Sequence, residues 1–113
     1  MRKKTGIILA VLLVIAVSGS LALILFHAKP KPHSVTLSWH PPAPVSGVTA
    51  ASYAVYRSTT SGGPYVRIAS GVNGPTYHDG LVTSGRTYFY VVTSLDQNGK
   101  ESKYSVEIKV VIP

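Results

Sequence analysis

Few side chains in this chain could do acid–base or metal chemistry. A glycosidase-type pair needs two carboxylates that face each other across a cleft, whereas Asp96 and Glu101 flank an Asn98-Gly99 turn, where such residues favour turn geometry. The histidines lack metal-ligand spacing, and there is no cysteine to supply a thiolate. The sequence therefore predicts no catalytic residue, no metal site and no cofactor. The acidic residues and histidines considered for such chemistry are Asp79, Asp96, Glu101, Glu107, His27, His33, His40 and His78.

The pair His78-Asp79 comes closest to a base and its orienting partner. Adjacent residues of an extended segment point to opposite faces, so the two side chains are not expected to touch. We interpret the pair as the end of a strand, with Asp79 starting a turn toward Gly80. The glycine-rich stretches 61–63 and 71–74 precede no helix, so they are predicted to be turns rather than phosphate-binding loops.

The seven tyrosines could include a recognition surface, because tyrosine is amphipathic and common in binding loops. Tyr56, Tyr65 and Phe89 are the candidates for such a surface, which would contact an unknown protein or polysaccharide. The alternative is ordinary packing on the face of a sheet. Tyr104 is also expected to be partly exposed, whereas Tyr53, Tyr77, Tyr88 and Tyr90 are better explained as core, as set out below.

The net charge of +7 does not indicate nucleic-acid binding. Five basic residues flank the apolar run 7–26, and the remainder of the chain has six basic against four acidic residues, without a basic cluster. Binding to a phosphate backbone needs such a cluster. The basic residues at the ends of the apolar run fit lipid headgroups instead.

The apolar run 7–26 begins at Ile7, ends at Phe26 and contains no charged residue. About 20 residues of helix span a bilayer core of ~30 Å, so the run predicts a transmembrane signal anchor. The stronger positive charge before it favours a cytoplasmic N-terminus, 1–6, and a domain outside the cytoplasm. Cleavage as a signal peptide at small residues near Ser18 or Ala22 is the alternative, which would give a secreted protein. The small residues 18–20 would also let another membrane helix pack closely.

Residues 27–32, in which lysine and proline alternate from Lys29 to Pro32, predict a short, stiff tether. Six residues in a polyproline II conformation extend no more than ~20 Å. The following domain, 33–113, should therefore sit close to the membrane.

Short apolar–polar alternations separated by turns predict an all-β domain. The predicted strands are 34–40, 51–57, 65–69, 76–78, 86–95 and 104–112, and the Asn98-Gly99 turn joins the last two. Strands with turn signals at such intervals are typical of an antiparallel β-sandwich.

The stretch 33–113 resembles a fibronectin type III domain of the bacterial kind. The resemblance rests on VTLSW with two prolines (35–42), YAVYR (53–57), SGGPY (61–65), YHD (77–79), GRTYFYVV (85–92) and GKES (99–102), in this order and spacing. It implies a seven-stranded, immunoglobulin-like sandwich in which Trp39 is the core tryptophan of the second strand. It also implies that Tyr88 is the tyrosine corner, with its hydroxyl tied to backbone upstream and Val82 packed beneath it. The tether stands where this family has its first strand, strand A, which is therefore expected to be short or missing.

The expected core combines this resemblance with the alternation of each strand. Its main members are Trp39, Tyr53, Val55, Val82, Tyr88, Tyr90 and Val92, joined by Val35, Leu37, Ile68, Tyr77, Val106, Ile108 and Val110. The whole chain is interpreted as a non-enzymatic, membrane-anchored fibronectin type III module that binds protein or acts as a spacer at the cell envelope. The loops 41–50, 58–63 and 96–100 are the expected contacts. The alternatives are a carbohydrate-binding accessory module and a small partner of another membrane protein that acts through its transmembrane helix.

Overall fold

The computed structural model describes residues 14–18, 33–44 and 47–113. These residues form seven strands and no helix. The burial of β2 alternates strictly along its length, as expected for a strand with one face on the core. In chain order the strands are β1 (Val14–Ser18), β2 (His33–Ser38), β3 (Ser52–Ser58), β4 (Val66–Val72), β5 (Thr76–Val82), β6 (Thr87–Leu95) and β7 (Ile108–Val111).

The strands pair into two antiparallel sheets. One sheet has the order β1-β2-β5 and the other the order β4-β3-β6-β7. The longest strand, β6, is central in the larger sheet and pairs with β3 along seven residues, from Ser52 opposite Leu95 to Ser58 opposite Phe89. The predicted antiparallel β-sandwich is confirmed.

The core lies between the inner faces of the two sheets. Trp39, just beyond the end of β2, is buried and contacts Tyr53 edge to face, with ring centroids 5.3 Å apart. Buried core residues contributed by both sheets are Val35, Leu37, Trp39, Tyr53, Val55, Tyr88, Tyr90, Val92, Val110 and Ile112, with Ile68, Tyr77, Val82 and Ile108 half-buried against them. All seven main residues of the predicted core are in contact with this cluster.

One core prediction is wrong. The side chain of Val106 is 66% exposed, because the regular pairing of the last strand begins only at Ile108. Upstream of that strand, hydroxyls take the place of backbone partners: the Oγ of Ser105 accepts from the N–H of Val92, and the Oγ of Ser102 accepts from the N–H of Ser94. The predicted strand 104–112 is therefore shortened to four residues.

The tyrosine corner is present as predicted. The hydroxyl of Tyr88 accepts a hydrogen bond of 2.9 Å from the N–H of Thr83, five residues upstream. The Asn98-Gly99 turn is also present, with Gly99 at φ +81° and the N–H of Asp96 bonded to the carbonyl of Lys100. The carboxylate of Asp96 accepts from the N–H groups of Asn98 and Lys100 and so fixes the turn.

The N-terminal segment differs from the prediction where the structure describes it. Val14–Ser18 is a strand that pairs antiparallel with β2, from Val14 opposite Ser38 to Ser18 opposite Ser34, so strand A is present and is supplied by the apolar run. Three of its five residues are β-branched, and such residues favour strands. The rest of the predicted membrane helix 7–26, the N-terminus 1–6 and the tether 27–32 lie outside the described residues. Among the residues that are described, no helix is long and apolar enough to cross a bilayer.

Candidate functional site

The outer face of the larger sheet carries a second apolar cluster. Because successive side chains of a strand alternate, Ala54 and Tyr56 of β3 and Val91 of β6 turn away from the core and pack together. Tyr65 and Leu95 are half-buried against them. This face therefore presents aromatic side chains outside the sandwich.

Three tyrosines meet on this face, and we call them the tyrosine trio: Tyr56, Tyr65 and Tyr104. The ring of Tyr104 lies edge to face against both others, with ring centroids 5.1 Å apart in each pair. Tyr56 is buried, Tyr65 is half-buried and Tyr104 is 51% exposed. Tyr104 is thus the member of the trio that is most open to an approaching ligand.

The first carboxylate beside the trio is Glu101. It accepts hydrogen bonds from the hydroxyls of Tyr56 and, at 2.7 Å, of Thr93. Arg67 lies 3.3 Å from the other carboxylate oxygen, donates to the hydroxyl of Tyr56 and stacks 5.5 Å above that ring. Partial burial opposes ionisation of Glu101, but the hydrogen bonds from Thr93 and Tyr56 outweigh it and lower the pKa of its carboxyl group.

The second carboxylate is Glu107, which ties a loop to the sheet. It accepts from the hydroxyls of Tyr65 and Ser61 and from the N–H of Gly62, and the bond from Tyr65 is the main reason that its pKa is lowered. Burial, followed by this hydrogen bond, raises the pKa of Tyr65 to about 12. Gly63 permits the arrangement, because it adopts φ +93° and a Cβ there would lie 3.0 Å from the backbone nitrogen of Tyr65.

An open cavity of about 420 Å³ adjoins the trio. Its walls combine aromatic rings, hydroxyls, one carboxylate and one ammonium group, supplied by Tyr56, Thr93, Glu101, Ser102, Lys103 and Tyr104. Such a mixture of a ring face and short polar groups suits a polar, hydroxyl-rich ligand. We refer to this as the tyrosine cavity.

A third carboxylate belongs to the core face and not to this site. Asp79 is 3% exposed and accepts from Arg57 at 2.8 Å and from the hydroxyl of Tyr90 at 2.6 Å. The N–H of Leu81 donates to it as well. Burial, followed by the bond to Asp79, raises the pKa of Tyr90.

The structure brings together two of the three residues of the predicted binding surface. Tyr56 and Tyr65 are both in the tyrosine trio, whereas Phe89 lies in β6 opposite Ser58 and Lys109 and lines no part of the cavity. Tyr104 was expected to be partly exposed, as it is, but it was left out of the predicted surface because it was placed in the regular strand 104–112. Its cue in the sequence was the serine on each side of the segment, since a serine hydroxyl can replace a backbone partner.

The predicted separation of His78 and Asp79 is confirmed, but the predicted turn at Asp79 is wrong. His78 is exposed and its Nδ1 lies 3.1 Å from the hydroxyl of Thr36, while Asp79 is buried. β5 continues through Asp79 to Val82, because Arg57 and Tyr90 stabilise the carboxylate inside the sandwich. In the described part of the chain, no group of three or more histidine, cysteine or acidic residues could hold a metal ion.

Comparison with known proteins identifies the class of domain. No protein-family profile matches the chain. The crystal structure of an Fn3-like protein from Clostridium thermocellum aligns with a TM-score of 0.62 and 38% sequence identity, over 71% of this chain and 77% of that one. A human FNIII domain aligns with a TM-score of 0.66 and 22% identity, over 98% of this chain and 81% of that domain, and supports the fold alone. The chain belongs to the fibronectin type III-like family.

Sequence relatives come from much longer proteins. The chain is 50% identical over 60 residues to an amylopullulanase of Thermoanaerobacter thermohydrosulfuricus. The aligned segment makes up 53% of this chain and 4% of that protein. It is 41% identical over 73 residues to an amylopullulanase of Thermoanaerobacterium saccharolyticum. That aligned segment makes up 65% of this chain and 5% of that protein. The chain is therefore homologous to one small segment of each of these proteins.

Proposed function

We propose that the chain is a non-catalytic fibronectin type III module, held at the outer face of a membrane by its apolar run 7–26, with a cytoplasmic N-terminus. There it binds another protein or acts as a spacer. The observation that supports a non-catalytic role is that each of the four carboxylates has a structural task. Asp79 is paired in the core, Asp96 fixes a turn, and Glu101 and Glu107 hold tyrosine hydroxyls. A general acid or base needs a side chain that is available to a substrate.

The loops that could meet a protein partner lie at both ends of the sandwich. The loops 41–50 and 96–100 share the end where β3 begins and β6 ends, whereas the loop 58–63 lies at the opposite end. Glu107 holds the loop 58–63 against the sheet. The pair 41–50 and 96–100 is therefore the better candidate contact surface.

Anchoring is supported by the composition of the run, although the structure pairs its residues Val14–Ser18 with β2 as β1. This strand is at the edge of the smaller sheet and pairs with β2 alone. If residues 14–18 leave for the bilayer, the β2–β5 pairing and the whole larger sheet are retained. Placing the run in a bilayer therefore requires β1 to leave the sheet, and this loses only its pairing with β2.

The anchor is tested with the full chain produced in a bacterium. We expect the protein to stay in the membrane fraction after a carbonate wash, with the intact N-terminal run in its mass spectrum. Protease added to spheroplasts should remove the domain. A mass that lacks the run would establish the secreted alternative, and protection from protease would contradict the orientation.

A second candidate function is carbohydrate binding, and the tyrosine cavity is the observation that favours it. The half-exposed Tyr104 ring offers a stacking surface, and Glu101, Ser102 and Lys103 surround it with hydrogen-bonding groups. The amylopullulanase relatives suggest an α-glucan as the ligand class. In this case the domain would be an accessory module that holds a glucan near the membrane.

Affinity electrophoresis in gels that contain pullulan or amylopectin tests this candidate. Retardation that disappears in Tyr104→Ala, but persists in the control Val106→Ala, would establish a glucan site at the cavity. Val106 is a suitable control because it is also exposed in the same segment. Equal migration of all three proteins with and without glucan would exclude it.

A further inference from the structure

The position of β1 decides which strand forms one edge of the smaller sheet. In the structure the order of this sheet is β1-β2-β5, and β1 belongs to the apolar run 7–26. A transmembrane run takes residues 14–18 into the bilayer, and cleavage near Ser18 or Ala22 removes them from the mature chain. In either case the backbone groups of β2 that face β1 lose their partners, and β2 becomes the edge strand.

The other three edge strands carry features that discourage pairing with another chain. Natural sheets protect their edges with charged residues, register irregularities, inward-pointing charges or very short strands. β4 contains Arg67, and its pairing with β3 shifts register twice. β5 contains the buried Asp79, and its pairing with β2 is also shifted. β7 has only four residues and includes Lys109.

The side of β2 that faces β1 lacks this protection. The paired stretch 34–38 contains no charged residue, proline or glycine. It pairs with β1 at five consecutive positions without a shift, from Ser18 opposite Ser34 to Val14 opposite Ser38. Once β1 has left, β2 is therefore the one edge among the described strands that offers a regular and unprotected ladder.

The departure of β1 also uncovers the border of the core. Val35 and Leu37 are fully buried while β1 is in place. The residues opposite them in β1 are Val17 and Ile15, respectively. Directly opposite residues of an antiparallel pair are side-chain neighbours, so an added strand with apolar residues at these two positions would cover the core again. The edge thus offers an apolar strip as well as backbone hydrogen bonds.

The register of β1 specifies what this edge accepts. The segment that fits is antiparallel to β2, extended over five residues and uncharged, with β-branched residues at the positions opposite Val35 and Leu37. β-branched residues suit a half-buried strand. Addition of a strand to a sheet edge is a general mode of peptide recognition, in which the backbone gives affinity and alternate side chains give selectivity.

We infer that β2 of the anchored protein is a strand acceptor, which binds an extended apolar segment of a partner protein in the place that β1 takes in the structure. The inference rests on the anchoring proposed above, because the site opens only when residues 14–18 leave the sheet. It gives the proposed protein binding a mechanism: the partner completes the smaller sheet as its third strand. The loops 41–50 and 96–100 are not required for this contact.

The absence of cysteine from the chain allows the acceptor to be tested by disulfide formation. Full-length Ser34→Cys is reconstituted in vesicles and mildly oxidised with a peptide that repeats residues 14–18, with the change Ser18→Cys and lysines added ahead of Val14 for solubility. We expect a mixed disulfide, because positions 18 and 34 are opposite each other and cysteines so paired can meet disulfide geometry. The matched control Ser38→Cys lies on the same strand, about 13 Å away, and should give little product.

A second peptide tests the apolar strip. It carries the further changes Ile15→Asp and Val17→Asp and should lose most of the product, because charged residues would then lie beside Val35 and Leu37. Equal yields from the two peptides, or from the cysteines at positions 34 and 38, would overturn the acceptor. Trp39 fluorescence reports whether each variant is folded.

The double variant Ser18→Cys/Ser34→Cys separates failure of the anchor from failure of the acceptor. An internal disulfide in the vesicles would show that β1 stays on β2, which overturns the anchor. Retention after a carbonate wash, with neither an internal disulfide nor a peptide product, would overturn the acceptor and leave the anchor intact. Linked dimers of Ser34→Cys without peptide, in excess of those of the exposed control Gln97→Cys, would identify a second copy as the occupant and overturn the assignment to a partner protein.

Discussion

Two networks with the same side-chain types lie on opposite faces of the larger sheet. In the core network, Tyr90 and Arg57 bind Asp79, which is 3% exposed. In the outer network, Arg67 and Glu101 form an ion pair whose side chains are 45% and 31% exposed. The hydroxyl of Tyr56 donates a hydrogen bond to Glu101 in this network. The chemistry is the same and the surroundings differ.

The difference shows how burial sets the role of such a network. Removing one partner from a buried ion pair leaves a charge that water cannot reach, which is costly. At a half-exposed pair, water replaces the lost partner and the cost is small. We therefore expect the core network to determine stability, while the outer network can change to accommodate a ligand.

The largest expected effect comes from the core carboxylate. Asp79→Leu leaves Arg57 and the Tyr90 hydroxyl without their partner and should lower the free energy of unfolding by about 2–4 kcal/mol. The matched change in the outer network, Glu101→Leu, should cost about 1 kcal/mol or less. Urea unfolding followed by Trp39 fluorescence measures both. Equal losses would contradict the proposed division between the networks.

Deleting single hydroxyls refines the same comparison. Tyr90→Phe removes a buried donor to Asp79 and should cost about 1–2 kcal/mol, whereas Tyr56→Phe should cost about 0.5 kcal/mol because Glu101 keeps its bond from Thr93. The same unfolding measurement applies. A larger loss for Tyr56→Phe would show that the outer network is the stabilising one.

The fold was largely predictable because each strand carries its own signal. Alternation placed Val35, Leu37 and Trp39 inside, and Asn98-Gly99 specified a turn that only a few residue types form. Such signals are local, and local patterns survive in the folded chain. The prediction that Val106 is buried was wrong because the last strand is interrupted by contacts with β6. Ser102 and Ser105 make these contacts across the sheet, and the alternation of the segment alone does not show them.

The networks were not predictable because their partners are distant in sequence. Arg57 and Asp79 are 22 positions apart, and Tyr56 and Glu101 are 45 positions apart. Only the register of the sheets brings them together. For the same reason, the alternation of β5 alone could not show that an acidic residue would be stabilised inside the sandwich. The strand at Val14–Ser18 was missed because its residues suit a membrane helix and an edge strand equally well.

Acid should weaken the outer network in a predictable range of pH. Glu101 and Glu107 have pKa values lowered by their hydrogen bonds. Their contribution to stability is therefore complete above the unfolded pKa of about 4.3 and is lost as the pH falls through the lower folded values. Melting temperatures from pH 6 downward should show the wild type losing its advantage over the double variant Glu101→Gln/Glu107→Gln below about pH 4. A constant difference at every pH would show that these carboxylates do not contribute through their ionised forms.

The smallest expected effect concerns two arginines that stack on tyrosines in the same way. The guanidinium carbon of Arg57 lies 5.3 Å from the ring centre of Tyr88, and that of Arg67 lies 5.5 Å from the ring centre of Tyr56. Arg57→Met should be clearly destabilising, because the buried Asp79 loses its charged partner. Arg67→Met should leave the free energy of unfolding unchanged within error, because methionine keeps the contact with the ring and water solvates Glu101. A clear loss of stability in Arg67→Met at low salt, which becomes smaller at high salt where the exposed ion pair is screened, would contradict this expectation and make the outer network part of the structural framework.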